Sequence, residues 1–144
     1  MTSTKPIKIV AISGSLNSTS TNTTILSTLV KLVPGNVVIE IVDDLNTLPH
    51  FNPQTKKEIA TVNNFRQKIK DSDAVIFSTP EYAFGVPGVL KNALDWLVFS
   101  GELNEKPVSA ISASLYTYRR GKGTGIADTH SNRPRYKNER QFNA

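Results

Sequence analysis

Two hydrophobic rhythms alternate along this chain. Ile7 to Ile12 is a nearly continuous β-branched run, the pattern of a strand covered on both faces of a parallel sheet. Asn22 to Val33 then carries Ile25, Leu26, Leu29, Val30 and Val33 at helical spacing, and Pro34-Gly35 closes it. Val37 to Val42 predicts a second strand. Asp43 to Pro53 is polar, contains two prolines and reads as a loop. Thr55 to Lys70 puts Ile59, Val62, Phe65 and Ile69 on one face of a second helix. Asp73 to Thr79 predicts a third strand, Gly88 to Phe99 a third helix and Pro107 to Leu115 a fourth strand. Strands alternating with helices imply an α/β domain with a parallel sheet and right-handed crossovers.

After Leu115 the rhythm stops. Residues 117–144 hold a single large aliphatic residue, Ile126, and show no helical or strand period. The predicted organisation is one domain over residues 1–116 followed by a basic tail over 117–144. The net charge of +5 resides in that tail, which has seven Lys/Arg against two acids, whereas residues 1–116 hold ten of each sign. The charge therefore says little about partners of the domain. A one-sided basic tail reads, on its own, as a disordered segment or an arm for nucleic acid. No nucleic-acid-binding motif accompanies it, so no nucleic-acid partner is expected.

The remaining composition mainly excludes. At 144 residues and 38% hydrophobic, the chain suits one soluble domain with one core. No run approaches a membrane span and no signal-type segment opens the chain, so no membrane partner is expected. The absence of cysteine rules out disulfides, thiolate metal sites and a cysteine nucleophile, and fits a cytoplasmic location. His50 and His130 stand isolated, so neither a catalytic triad nor a metal site is expected.

Two loops carry the candidate chemistry. The segment SGSLNSTSTN at 13–22 follows the first strand and leads into the first helix. Gly14 permits a tight turn, and Ser20 or Asn22 can cap the helix. Free N–H groups at a helix start, with hydroxyls beside them, suit a phosphate. The spacing matches neither the Gly-Lys-Ser/Thr phosphate loop nor the Gly-x-Gly-x-x-Gly dinucleotide fingerprint, and an ordinary polar connection has the same composition. The second loop follows the third strand. Pro80 and Pro87 stiffen it, Gly85 and Gly88 allow close backbone approach, and Tyr82 or Phe84 offers an apolar face to a flat ring or to a second subunit. Glu81 suits a general base, an ion pair or a cap. Trp96 reads as core.

Read together, these residues resemble the NADPH-dependent FMN reductase family, the flavodoxin-like group that includes chromate, quinone and azo-dye reductases. The matching motifs are Gly14-Ser15-Leu16 with Ser20 and Asn22, then Leu48-Pro49, then Pro80-Glu81-Tyr82 with Pro87-Gly88 and Leu90-Lys91-Asn92-Ala93-Leu94-Asp95-Trp96. They cover residues 7 to about 115. The resemblance implies a doubly wound parallel sheet of order 2-1-3-4-5, bound FMN, hydride drawn from NADPH or NADH, a small-molecule electron acceptor and a homodimer or homotetramer. Acceptors could be quinones, azo compounds, chromate or free flavin. It implies that Ser15, Ser20 and Asn22 bind the FMN phosphate and that Pro80, Glu81 and Tyr82 line the ring. The wider flavin set is Ser13, Ser15, Asn17, Ser20, Thr21, Asn22, Pro80, Glu81, Tyr82, Ala83, Phe84 and Ser112. No catalytic acid or base is implied, since the flavin performs the redox chemistry. An FMN-binding module without turnover is the alternative.

Three departures stand out. The family usually has arginine where this chain has Asn17, and asparagine is common where it has Ala83. The family also continues past the fourth strand with a Gly-Gly loop, a helix, a fifth strand and a final helix, whereas residues 119–126 read RRGKGTGI. Codons for that string can be chosen so that the frame one base later spells Gly-Gly-Glu-Lys-Ala-Gln-Glu. The expectation is a shift of frame near residues 116–119, leaving the last strand and helices missing.

Overall fold

The computed structural model describes residues 5–98 and 100–113. The predicted ends at Phe99 and Leu115, the basic tail and the proposed change of frame lie outside them. The elements are β1 (Ile7–Ser13), α1 (Thr21–Leu32), β2 (Val37–Val42), a short 3-10 turn at Leu45–Thr47, α2 (Ala60–Lys70), β3 (Ala74–Thr79), α3 (Gly88–Val98) and β4 (Val108–Ser112). All strand pairs are parallel, in the order β2-β1-β3-β4. This is the flavodoxin-like order over the described strands. No helix among the described residues is long and apolar enough to cross a membrane.

Strand alternation divides the sheet into two unequal faces. Val10 and Ile12 of β1, Val42 of β2, and Val75 and Phe77 of β3 form one buried cluster with Val62, Phe65 and Ile69 of α2 and Leu90, Ala93, Trp96 and Leu97 of α3. Ala11 points to the opposite face, where Leu26 of α1 is also buried. Ile76 and Ile111 on that face are only half-buried. The main core therefore lies under α2 and α3, with α1 a lighter cover on the other side.

One boundary differs from expectation by more than a residue. Helix α2 starts at Ala60, not Thr55. Asn52 accounts for part of the difference. Its side chain accepts from the Gln54 N–H and its carbonyl from the Thr55 N–H, a local turn that competes with helix. Ile59 then stays extended, at φ −120° and ψ 113°, and packs against the core.

Edge strand β2 carries Glu40 between Lys8 and Lys68, each 3.2 Å away. Burial raises the Glu40 pKa, but the hydrogen bonds and charges of the two lysines together outweigh it and hold the carboxyl below its usual range. A depressed folded-state pKa gives stability that is present above the unfolded value and is lost as pH falls through the folded one. Glu40→Gln is therefore expected to cost under about 1 kcal/mol at neutral pH, because solvent screens the half-exposed pair. The difference from wild type should vanish in acid. Urea midpoints at neutral and acid pH check this, and a cost that persists in acid would point to packing instead.

Candidate functional site

From β1 the chain crosses to β2, and from β3 it crosses the other way to β4. The carboxyl ends of the neighbouring strands β1 and β3 therefore flank the point where strand order reverses, the place where open α/β sheets take ligands. Both candidate loops leave the sheet there. Ser112, at the end of β4, pairs with Thr79 at the end of β3.

The loop after β1 is wired mostly by its own side chains. Ser13 is buried. Its hydroxyl accepts from the Ser15 N–H at 3.3 Å and pairs with the Thr23 hydroxyl at 3.0 Å. Ser15 is also buried and accepts from the Asn17 N–H. Asn17 is exposed, and its side-chain Oδ1 accepts from both the N–H and the hydroxyl of Thr19, which closes a tight turn. Ser20 is the N-cap of α1 and accepts from the N–H groups of Asn22 and Thr23. Its own hydroxyl hydrogen meets no acceptor among the described residues. The N–H groups of Leu16, Ser18 and Thr21 meet no acceptor among the described residues. Thr21 is exposed. Asn22 is buried, and its carboxamide bonds to Ser78 and Ala113.

The loop after β3 begins at buried Pro80 and then turns outward. Glu81, Tyr82, Ala83 and Phe84 are all exposed. Tyr82 and Gly85 exchange both backbone hydrogen bonds, at 2.9 and 3.0 Å, around a two-residue turn. Its central residues Ala83 and Phe84 have φ of 49° and 64°. Left-handed φ at both positions is the demand of a type I′ turn, and asparagine or glycine usually meets it. The departure at Ala83 thus has a local cost. Ala83→Asn is expected to stabilise the chain by about 0.5–1 kcal/mol by easing that conformation. Denaturant unfolding checks this, and a neutral or destabilising result would mean the turn is not held as described.

The motif that follows serves the scaffold more than the crevice. Asn92 accepts from the Phe51 N–H at 2.8 Å and donates to the Pro49 carbonyl at 3.0 Å. The Trp96 indole N–H donates to the same carbonyl at 2.9 Å. Lys91 pairs with Asp95 one turn on. The Leu48-Pro49 and Asn92–Trp96 motifs thus belong together because one ties down the other. Trp96 is core, as expected. Ser78 escaped the sequence reading, although two hydroxyls closing an otherwise apolar strand, Ser78 and Thr79, were a legible signal. A separate cleft of about 350 Å³ lies between residues 51–59 and α2 and shares no lining residue with the two loops. Among the described residues no His, Asp or Glu cluster could hold a metal.

Donors are present for a phosphate, and an apolar edge for a flat ring, so the crevice fits FMN in kind. Residues 13–22 carry no charged side chain, so a phosphate there would rest on N–H and hydroxyl groups alone.

Comparison with known proteins agrees with this fold. The chain is 37% identical over 127 residues to an NAD(P)H-dependent FMN reductase of Pseudomonas aeruginosa, covering 86% of this chain and 66% of that protein. It is 30% identical over 118 residues to a quinone reductase of Escherichia coli, covering 80% and 61%. Among solved structures, a flavoenzyme NAD(P)H:acceptor oxidoreductase of Paracoccus denitrificans superposes with a TM-score of 0.69 at 30% identity, over 75% of this chain and 61% of that one. The chain thus spans under two thirds of the length of each of these relatives. A profile of NADPH-dependent FMN reductases matches residues 7–122, and the chain belongs to that family.

Proposed function

We propose that this chain binds FMN and, as an NAD(P)H-dependent oxidoreductase, passes reducing equivalents to a small acceptor such as a quinone, azo compound, chromate or free flavin. The observation that carries this reading is the meeting of the two loops at the switch point between β1 and β3. Ser15, Ser20 and the N–H groups of Leu16, Ser18 and Thr21 would hold the phosphate. Pro80 to Phe84 would flank the ring, with Ser13, Asn17, Asn22 and Ser112 completing the surround. Bound FMN supplies the hydride chemistry, and the protein binds, orients and shields. Exposed Tyr82, Phe84 and Val86 support a homodimer or homotetramer with the flavin near the contact. Dependence on NAD(P)H supports a cytoplasmic setting.

Titration of the purified chain with FMN, followed by flavin fluorescence, tests the reading. Stoichiometric quenching supports it, and NADPH oxidation with an added quinone then separates an enzyme from a binding module. Failure of a folded chain to quench FMN would overturn it. Asn17→Arg offers a sharper check. A guanidinium on the phosphate should tighten FMN by roughly tenfold through charge-assisted hydrogen bonds. Riboflavin, which lacks the phosphate, should bind as before.

A further inference from the structure

Asn22 lies in the first turn of α1, beside the candidate phosphate loop, yet its side chain turns inward. It is 2% exposed. Its Nδ2–H donates to the Ala113 carbonyl at 2.9 Å, and its Oδ1 accepts from the Ala113 N–H at 3.2 Å. The carboxamide thus reads both backbone groups of one residue, as a neighbouring strand would. Oδ1 also accepts from the Ser78 hydroxyl at 3.1 Å. The Ser78 carbonyl in turn accepts from the Gly14 N–H at 2.8 Å. One network therefore runs from the end of β1, across β3, to the residue after β4. It closes back on the loop, because the Asn22 N–H donates to Ser20. These bonds occupy the amide's two lone pairs and one of its two N–H groups.

We infer that Asn22 is a positioning residue, one that fixes the loop after β1 and the end of β4 relative to each other and does not itself hold a phosphate. The inference rests on the reading of that loop as part of a flavin site, and it deepens it. Its chemistry is that of a buried, nearly saturated amide, which has little left to offer an anion. Loss of the side chain would leave Ser78 and both backbone groups of Ala113 without their partner, in a region where such groups are costly. The end of β4 would then drift from the loop, and both the phosphate and the ring portions of the crevice would loosen together.

Hydrogen exchange on the flavin-free protein, read by mass spectrometry, tests the local part. Asn22→Ala should speed exchange in the peptide covering 108–113 by roughly tenfold, since Asn22 Oδ1 is the acceptor of the Ala113 N–H. Asn22→Asp keeps the acceptor of the Ala113 N–H but cannot donate to the Ala113 carbonyl, and should give a smaller acceleration. Ser78→Ala removes one of the three bonds and should give a smaller acceleration. It carries the test should Asn22→Ala fail to fold. Ile69→Val, a modest change in the core under α2, should leave that peptide unaffected.

Flavin binding tests the second part. A positioning role predicts that Asn22→Ala weakens riboflavin as well as FMN, because the ring portion of the crevice loosens with the phosphate portion. Loss of FMN alone would make Asn22 a phosphate ligand and overturn the inference, as would unchanged exchange at 108–113. If the unmodified chain binds no flavin, the proposed function fails. The exchange measurement then decides by itself whether Asn22 positions the end of β4.

Discussion

Trp96→Ala is expected to cost about 3–5 kcal/mol, the range for truncating a large buried aromatic side chain. Against a total stability of roughly 5–15 kcal/mol, that change alone brings the chain close to unfolding. Trp96 is 6% exposed and belongs to the core under α2 and α3. Its ring meets Phe51 edge to face at 5.0 Å, and the Arg66 guanidinium lies 5.8 Å from its centre. The Trp96 carbonyl accepts from both Nε and an Nη of Arg66, at 3.0 and 2.7 Å. Removing the ring thus opens a cavity and also removes one tie on the segment from Leu48 to Phe51, which Asn92 continues to bond from α3. Trp96→Phe separates the two effects. It keeps most of the ring volume, loses the bond to Pro49, and should cost nearer 1–2 kcal/mol. Urea unfolding of the three proteins gives the comparison. If Trp96→Ala cost under about 1 kcal/mol, the ring could not be part of a close-packed core.

The strands were legible because each is a short apolar run ended by polar or turn-forming residues. Sheet order β2-β1-β3-β4 does not follow from such runs. It came from the motif resemblance, and local rhythm alone would have left several parallel orders open. The start of α2 was misread because the apolar spacing of Ile59 with Val62 mimics a helix. The competing turn depends on one asparagine, Asn52, and weighs little in a periodic pattern. Candidate site residues were visible as two loops, but their individual roles were not. Asn22 and Ser20 look equally suited to an anion in sequence. Only the fold shows one turned inward to Ser78 and Ala113 and the other at the helix start. The specificity of the Leu48-Pro49 and Asn92–Trp96 motifs has the same origin, since their bonds span more than forty residues of chain.

Gly14→Ala is the second change expected to have a large effect, and its reason is space. Gly14 is not among the residues with positive φ, so conformational freedom does not explain it. A Cβ built on Gly14 would stand 2.5 Å from Thr79 Oγ1, 2.9 Å from Thr79 Cβ and 3.0 Å from Leu90 Cδ2. Rotation about χ1 could move the oxygen aside, but Thr79 Cβ is fixed to the backbone of β3. The ends of β1 and β3 would have to part, and these ends carry the two loops of the proposed flavin crevice. Overpacking of this kind costs about 1–3 kcal/mol. A fall in FMN affinity should accompany it if the crevice is read correctly. Thr79→Ala alone should cost about 1 kcal/mol, because its hydroxyl donates to the Pro80 carbonyl at 3.0 Å. Combined with Gly14→Ala it removes the nearest clashing atom, so the pair should be less damaging than the two single changes added. A double-mutant cycle in urea should show favourable coupling of roughly 0.5–1 kcal/mol, the scale for residues in direct contact. Strict additivity would mean that the contact with Thr79 Oγ1 is not what excludes a side chain at Gly14, leaving Thr79 Cβ and Leu90 as the obstacles.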